Sequence, residues 1–234
     1  MHSKRARLDR FISVQLGINR RDVKPLLAQG RLLVDGSPAI DVRQFVDEFT
    51  LVSFDGRDLQ ARKPVYIMLN KPAGVVSATK DAKHRTVMDL LDKTVPADLH
   101  IVGRLDFNST GLVLLTNDGR WSRALTTPET KVPKVYRVRL GNPLNEDYIT
   151  AFSEGMYFSF ENITTRPAQL KIIDDYTAEV TLVEGRYHQI KRMFGRFRNP
   201  VIALHRCAIG TIQLDLTLKA GDSRELTEQE ANNV

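Results

Sequence analysis

A single cysteine, Cys207, stands in 234 residues, which excludes an internal disulfide and fits a reducing compartment. No apolar stretch approaches the ~20 residues that a membrane-spanning helix needs. The basic start, Met1 to Arg7, is followed by no apolar run of the kind that marks a secretory signal. A cytoplasmic protein without membrane contact is therefore expected. The five histidines show no ligand spacing and the lone cysteine has no neighbour to chelate with, so no metal centre is expected. Repeats and low-complexity tracts are also missing. What remains is an ordinary globular composition, 42% apolar and 26% charged, with enough chain for one large domain or a small and a medium one.

The net charge of +6 is unevenly spread. Residues 1–31 carry eight Lys/Arg against Asp9 and Asp22, and residues 184–206 carry six against Glu184. Past 206, two basic residues face five acidic ones. Two basic patches on a balanced chain point to a polyanion partner, the plainer alternative being two solvated helix faces.

Apolar spacing predicts a helix over Arg5–Leu16 closed by Gly17, then a short helix capped by Asn19 that contains Val23, Leu26 and Leu27. Leu32–Val34, the Asp35-Gly36 turn, Pro38–Ile40 and Phe49–Phe54 predict a small sheet. Arg62-Lys63-Pro64 reads as a linker. Beyond it, strands are expected at Val65–Leu69, His100–Gly103, Leu112–Thr116, Val135–Leu140, Ala168–Ile173, Ala178–Val183 and Val201–Arg206. Helices are expected at Val87–Leu91 capped by Thr86, Arg120–Leu125, Asn145–Glu154, and from His188 with Ile190, Met193, Phe194 and Phe197 on one face. The order is too irregular for repeated βαβ units. The fold class is α+β: a small N-terminal α/β module and a larger domain on a mostly antiparallel mixed sheet with flanking helices.

One segment carries the strongest chemical signal, Gly103–Gly119, which opens with Gly103-Arg104-Leu105-Asp106, runs through the apolar strand Leu112–Thr116 and closes on the turn Asn117-Asp118-Gly119. It sets a carboxylate in a polar loop between two apolar strands, two residues from Arg104. A neighbouring cation favours the ionised carboxylate, which makes Asp106 a candidate nucleophile or general base. Taken alone, a turn aspartate paired for structure is the commoner reading.

Three further motifs accompany it: Leu69-Asn70-Lys71-Pro72, Lys134-Val135-Tyr136, and Glu184-Gly185-Arg186-Tyr187-His188-Gln189-Ile190-Lys191-Arg192-Met193. In this order and with these gaps, the chain resembles the RsuA-type branch of the pseudouridine synthases, with an S4-type RNA-binding module over residues 1–61 and a catalytic domain over 62–234. The resemblance implies isomerisation of a uridine in ribosomal RNA, of the small subunit by chain length, free or in an assembling 30S particle. The large subunit, or a non-catalytic RNA-binding assembly role, are the alternatives. It implies no cofactor and nothing that demands an oligomer, so a monomer is expected.

Matched residue by residue, the resemblance makes Asp106 the aspartate that attacks at the sugar C1′ or the base C6. Tyr136 is the tyrosine that stacks on the base, Lys191 the basic partner of the aspartate, and Ile190 the apolar wall. Arg104 fills the gap left by the extruded base, and Lys71 supports the loop or a phosphate. Arg186 and Arg192, with Arg5, Arg20 and Arg21 of the N-terminal module, complete the candidates for RNA contact.

Overall fold

The computed structural model describes residues 5–159 and 161–234. The chain divides into two compact units, Met1–Pro64 and Val65–Val234, so the domain boundary falls three residues beyond the expected one, at the end of the linker.

In the first unit β1 (Ala6–Arg7) leads into α1 (Leu8–Leu16), which ends at Gly17 with φ 65°, the left-handed conformation glycine adopts without strain. A 3-10 turn, Arg20–Asp22, precedes α2 (Val23–Ala28). The strands β2 (Leu32–Val34), β3 (Ser37–Pro38), β4 (Phe45–Val46), β5 (Val52–Phe54) and β6 (Arg57–Gln60) follow. They form the sheet β3-β2-β5-β6 and a separate β1–β4 pair. Leu8, Ile12, Val23, Leu32, Val46 and Val52 make the core.

Three local expectations are corrected. The first helix begins at Leu8 because Ala6 and Arg7 are drawn into pairing with Val46 and Phe45. Asn19 stands before the 3-10 turn with no side-chain capping bond. Phe49 and Thr50 turn around the Asp47 carboxylate, which accepts from both of their backbone N–H groups, so that strand starts only at Val52.

The second unit is built on one large sheet. Its elements in order are β7 (Tyr66–Lys71), β8 (His100–Val102), β9 (Thr110–Thr116), α3 (Gly119–Thr126), β10 (Lys134–Leu140), α4 (Glu146–Glu154), β11 (Tyr157–Phe158), β12 (Ile163–Thr164), β13 (Gln169–Asp174), β14 (Thr177–Leu182), α5 (Gln189–Gly195), β15 (Val201–Ile209), β16 (Ile212–Gln213), β17 (Ser223–Glu225) and α6 (Glu228–Asn232). The order across the sheet is β13-β14-β10-β15-β9-β7-β17, with β8 on β9 and β16 on β15. The β15–β9 pair is parallel and the other pairs of this sheet are antiparallel. The segment expected as the helix Val87–Leu91 is a single 3-10 turn, Met88–Leu90, closed on itself by bonds between Thr86 and the Asp89 carboxylate.

The apolar pattern explains which strands lie centrally. In β9, Val113 and Leu115 enter the larger core while Leu112 and Leu114 enter the second one. In β7, Ile67 and Leu69 go one way and Met68 the other. Strands covered on both faces read as continuous apolar runs, as these do. In β10, buried Tyr136, Val138 and Leu140 alternate with exposed Arg137 and Arg139, the period of a strand with one wet face. Helices α4 and α5 pack Tyr148, Phe152, Ile190, Met193 and Phe194 on the larger core; α3 packs Trp121 and Leu125 on the other.

The parallel seam decides where the β8–β9 loop sits. A Cβ on Gly111, where φ is 100°, would lie 2.3 Å from the Arg206 carbonyl oxygen, so only glycine lets β9 and β15 approach here.

Candidate active site

The loop 103–109 joins β8 to β9 and is gripped from beneath by buried cations. Lys71, at the end of β7, is fully buried, and its Nζ donates to the carbonyls of Ser109 (2.7 Å), Pro72 (3.0 Å) and Phe107 (3.2 Å). Burial pulls its pKa down to about 8, with Arg206 adding to the fall and the nearby Asp106 charge opposing it. Arg206, on β15 and 1% exposed, donates to the carbonyls of Gly103 (2.6 Å), Leu112 (2.8 Å) and Arg104 (3.4 Å). The Ser77 hydroxyl donates to the Leu105 carbonyl at 2.8 Å, and its oxygen lies 3.1 Å from the Leu105 N–H. Asp106 is thereby presented on a loop whose backbone is bound on both sides of it.

One expectation narrows here and one changes. Lys71 supports the loop and does not reach a phosphate, since its ammonium is sealed under three carbonyls. Arg206, counted by sequence among the exposed charges, is an internal brace.

A second segment brings in the basic side chains that face Asp106. Lys191, the third residue of α5, places Nζ 3.6 Å from Asp106 Oδ2. His188, in a left-handed conformation (φ 48°) at the head of that helix, places Nε2 3.3 Å from the same oxygen. Arg104, expected to pair with Asp106 because it is near in sequence, makes no ion pair with it among the described residues. The charge partners come instead from the head of a helix more than eighty positions later. At about one-third exposure of each side chain, these pairs orient the carboxylate more than they stabilise the fold, at roughly 1 kcal/mol or less each.

The 184–188 segment is held by an anion. Glu184 is 8% exposed and accepts from Gln189 Nε2 (2.6 Å), Arg186 Nε (3.0 Å) and the Arg166 backbone N–H (3.0 Å). Gln189 Oε1 accepts from the Arg186 N–H at 3.1 Å. His188 and Glu184 escaped the sequence reading as functional residues. A buried carboxylate has no periodic signature, and a histidine outside metal spacing reads as neutral.

These segments enclose a cavity of about 100 Å³, lined among others by Asp106, Tyr136, Ile190, Lys191, His188 and Arg186. Tyr136 stands at an irregularity in the β10–β15 pairing, the kind of local break that re-aims a side chain, and its ring centroid lies 6.0 Å from the Arg206 guanidinium. Ser109 also lines the cavity, and among the described residues its buried hydroxyl has no hydrogen-bond partner. Arg104 also lines the cavity. Arg192, expected on the RNA, is bidentate to Glu161, with its guanidinium 3.9 Å from the Phe158 ring centroid. In the first unit Arg20 donates to the buried Asp9 at 2.8 Å, Arg5 lies over the Phe45 ring and Arg21 is largely exposed.

No grouping of three potential metal-ligating side chains occurs among the described residues, and no described helix is long and apolar enough to cross a membrane.

A loop-borne carboxylate thus faces an ammonium and an imidazole in a cavity that an aromatic and an aliphatic side chain also line, on a mixed sheet. Residues 65–195 match the family described as RNA pseudouridylate synthase. The chain is 50% identical over 229 residues to ribosomal small subunit pseudouridine synthase A of Pseudomonas aeruginosa, covering 97% of this chain and 100% of that one. To the protein of the same name from Escherichia coli it is 42% identical, covering 97% and 99%. A crystal structure of a pseudouridylate synthase superposes with a TM-score of 0.71 at 37% identity, covering 97% of this chain and 98% of the other. The chain therefore belongs to the RNA pseudouridylate synthase family.

Proposed function

We propose that the protein isomerises one uridine of small-subunit ribosomal RNA to pseudouridine, with Asp106 as the attacking carboxylate. In this reaction the C1′–N1 bond breaks and a C1′–C5 bond forms. The C5 hydrogen leaves as a proton and N1 gains one, so nothing is oxidised or reduced. The reaction asks for a carboxylate within reach of the nucleoside, control of the detached ring and a site shielded from water. The observation that carries the reading is Asp106 Oδ2 held by Lys191 and His188 in a cavity that Tyr136 and Ile190 also line. Tyr136 lies against the base and Ile190 walls the site. Extruding a base from folded RNA costs a few kcal/mol. Stacking on an aromatic ring returns roughly 1–3 kcal/mol of it, and contacts from Arg104 and Arg186 to the backbone offset more.

The small-subunit substrate is supported by the names of relatives that share nearly the whole length. Residues 1–61 act as an S4-type RNA-binding module, with Arg5, Arg20 and Arg21 on the RNA. The protein works as a cytoplasmic monomer on free RNA or an assembling particle, and uses no cofactor.

RNA tritiated at uracil C5 tests this reading, because isomerisation must release that hydrogen. Release is expected with the wild type and small-subunit RNA, and Asp106→Asn should lower it by roughly 10³-fold or more, the scale of losing a nucleophile. Release only from large-subunit RNA would move the substrate. Binding without release would make the protein an RNA binder.

A further inference from the structure

Beside the Asp106 cavity lies a second and larger one, of about 700 Å³, within the same unit. The two share a wall made by Arg104, Tyr136, Gly185 and Arg186. The charge lining the larger cavity is lopsided: Arg104, Lys134, Arg166, Arg186 and Arg206 against Glu184 alone. Glu184 is already engaged by Gln189, Arg186 and the Arg166 backbone, and Arg206 by three carbonyls.

The remaining cations have almost nothing to pair with. Lys134 Nζ reaches only the Val132 carbonyl, at 3.2 Å, and Arg166 Nη1 only the Pro128 carbonyl, at 3.1 Å. Neither has a carboxylate partner among the described residues, and the same holds for Arg104. Holding like charges around one groove is costly unless an anion completes it.

We propose that this groove binds the phosphodiester backbone of the single-stranded nucleotides next to the extruded uridine, with Lys134 and Arg166 as phosphate contacts. The proposal rests on the reading of the protein as an RNA isomerase. A uridine in the smaller cavity has a phosphate on each side, and the shared wall leads one of them directly into the groove. The lining suits a backbone better than a second base, because Tyr136 is its one aromatic ring and already faces the first site, whereas guanidinium groups and an ammonium match phosphate oxygens. Burial and the charge of Arg206 depress the Lys134 pKa, and an arriving phosphate would restore it.

The test uses the full chain and a short RNA carrying the target uridine, made with a neutral methylphosphonate at one linkage at a time. With the wild type, neutralising a linkage adjacent to the uridine should weaken binding about tenfold. The double variant Lys134→Met, Arg166→Gln should bind unmodified RNA at least about tenfold more weakly, with a salt slope lower by roughly 1.4, the value for two single-strand phosphate contacts. It should also have lost its sensitivity to that same linkage. Lys134→Arg should retain it. Should the double variant melt early, Arg166→Gln alone must show the reduced slope.

Unchanged affinity and salt slope in the variants, or undiminished sensitivity to every neutral linkage, would overturn the proposal. These are binding readouts. A wild type that binds RNA with the expected linkage dependence but releases no tritium would sink the isomerase reading and leave the groove standing.

Discussion

The loop carrying Asp106 rests on two buried cations, Lys71 and Arg206, whereas the segment carrying His188 and leading to Lys191 rests on a buried anion, Glu184. The first pair binds backbone carbonyls; the second binds side-chain and backbone N–H groups. The Asp106 carboxylate and the Lys191 ammonium thus each sit on a segment braced by buried charge of the opposite sign, and they meet across the cavity. The two braces also differ in what failure costs. Lys71 and Arg206 each hold three backbone carbonyls, while two of the three donors to Glu184 are side chains that can re-aim.

Arg206→Met should break the first brace most severely. It orphans the carbonyls of Gly103 and Leu112, at about 1–3 kcal/mol each, offset in part by no longer burying a charge. A clear fall in the urea midpoint and loss of tritium release are expected; a variant as stable and active as the wild type would remove Arg206 from the support of Asp106.

Lys71→Met should follow, lowering the single-turnover rate roughly 100-fold by loosening the loop, since misplacing a reacting group by about 1 Å costs that much. RNA affinity, read by filter binding, should fall far less. Were affinity to fall as much as rate, Lys71 would be an RNA ligand after all.

Glu184→Gln is the softer blow to the opposite brace. The amide retains one acceptor oxygen, so about a tenfold loss in rate is expected with little change in melting temperature. An effect as large as that of Lys71→Met would mean the two braces are equivalent.

The smallest effect is also the most diagnostic, because stability and activity should move in opposite directions. Lys71 holds its proton in the unfolded chain up to about pH 10.4 but in the fold only below about pH 8. Between these values the unfolded state binds one more proton, so stability rises with pH across the window, by up to ~1.4 kcal/mol per unit. Over the same window the neutral amine keeps two N–H donors for three carbonyls, and the single-turnover rate should decline. In Lys71→Met the stability increment should vanish. Parallel movement of the two quantities in the wild type would exclude Lys71 as their common origin.

Much of the fold was legible because its strongest elements announce themselves chemically. The doubly covered strands β7 and β9 read as apolar runs, the α5 face reads as Ile190, Met193 and Phe194, and the Asp106 loop reads as a polar interruption between strands. The short strands β4, β6, β11 and β12 were not legible, since two to four residues carry no period to detect. Within the site, sequence reasoning picked out Asp106, Tyr136, Ile190 and Lys191, which the cavity gathers. It left Lys71 between the loop and a phosphate, where the structure shows the loop, and it misplaced two other cations: Arg206 belongs to the interior and not to a basic patch, and Arg104 is not the charge partner of Asp106.

By itself, then, the sequence determined which stretches become buried strands and helix faces, and which acid stands exposed among them, because hydrophobic period and turn chemistry are local properties. Only the tertiary structure decided which charges go inside and what each one holds. Whether a lysine or arginine is a solvated ligand or an internal brace depends on the carbonyls, carboxylates and water excluded around it, and those come from strands and loops far apart along the chain.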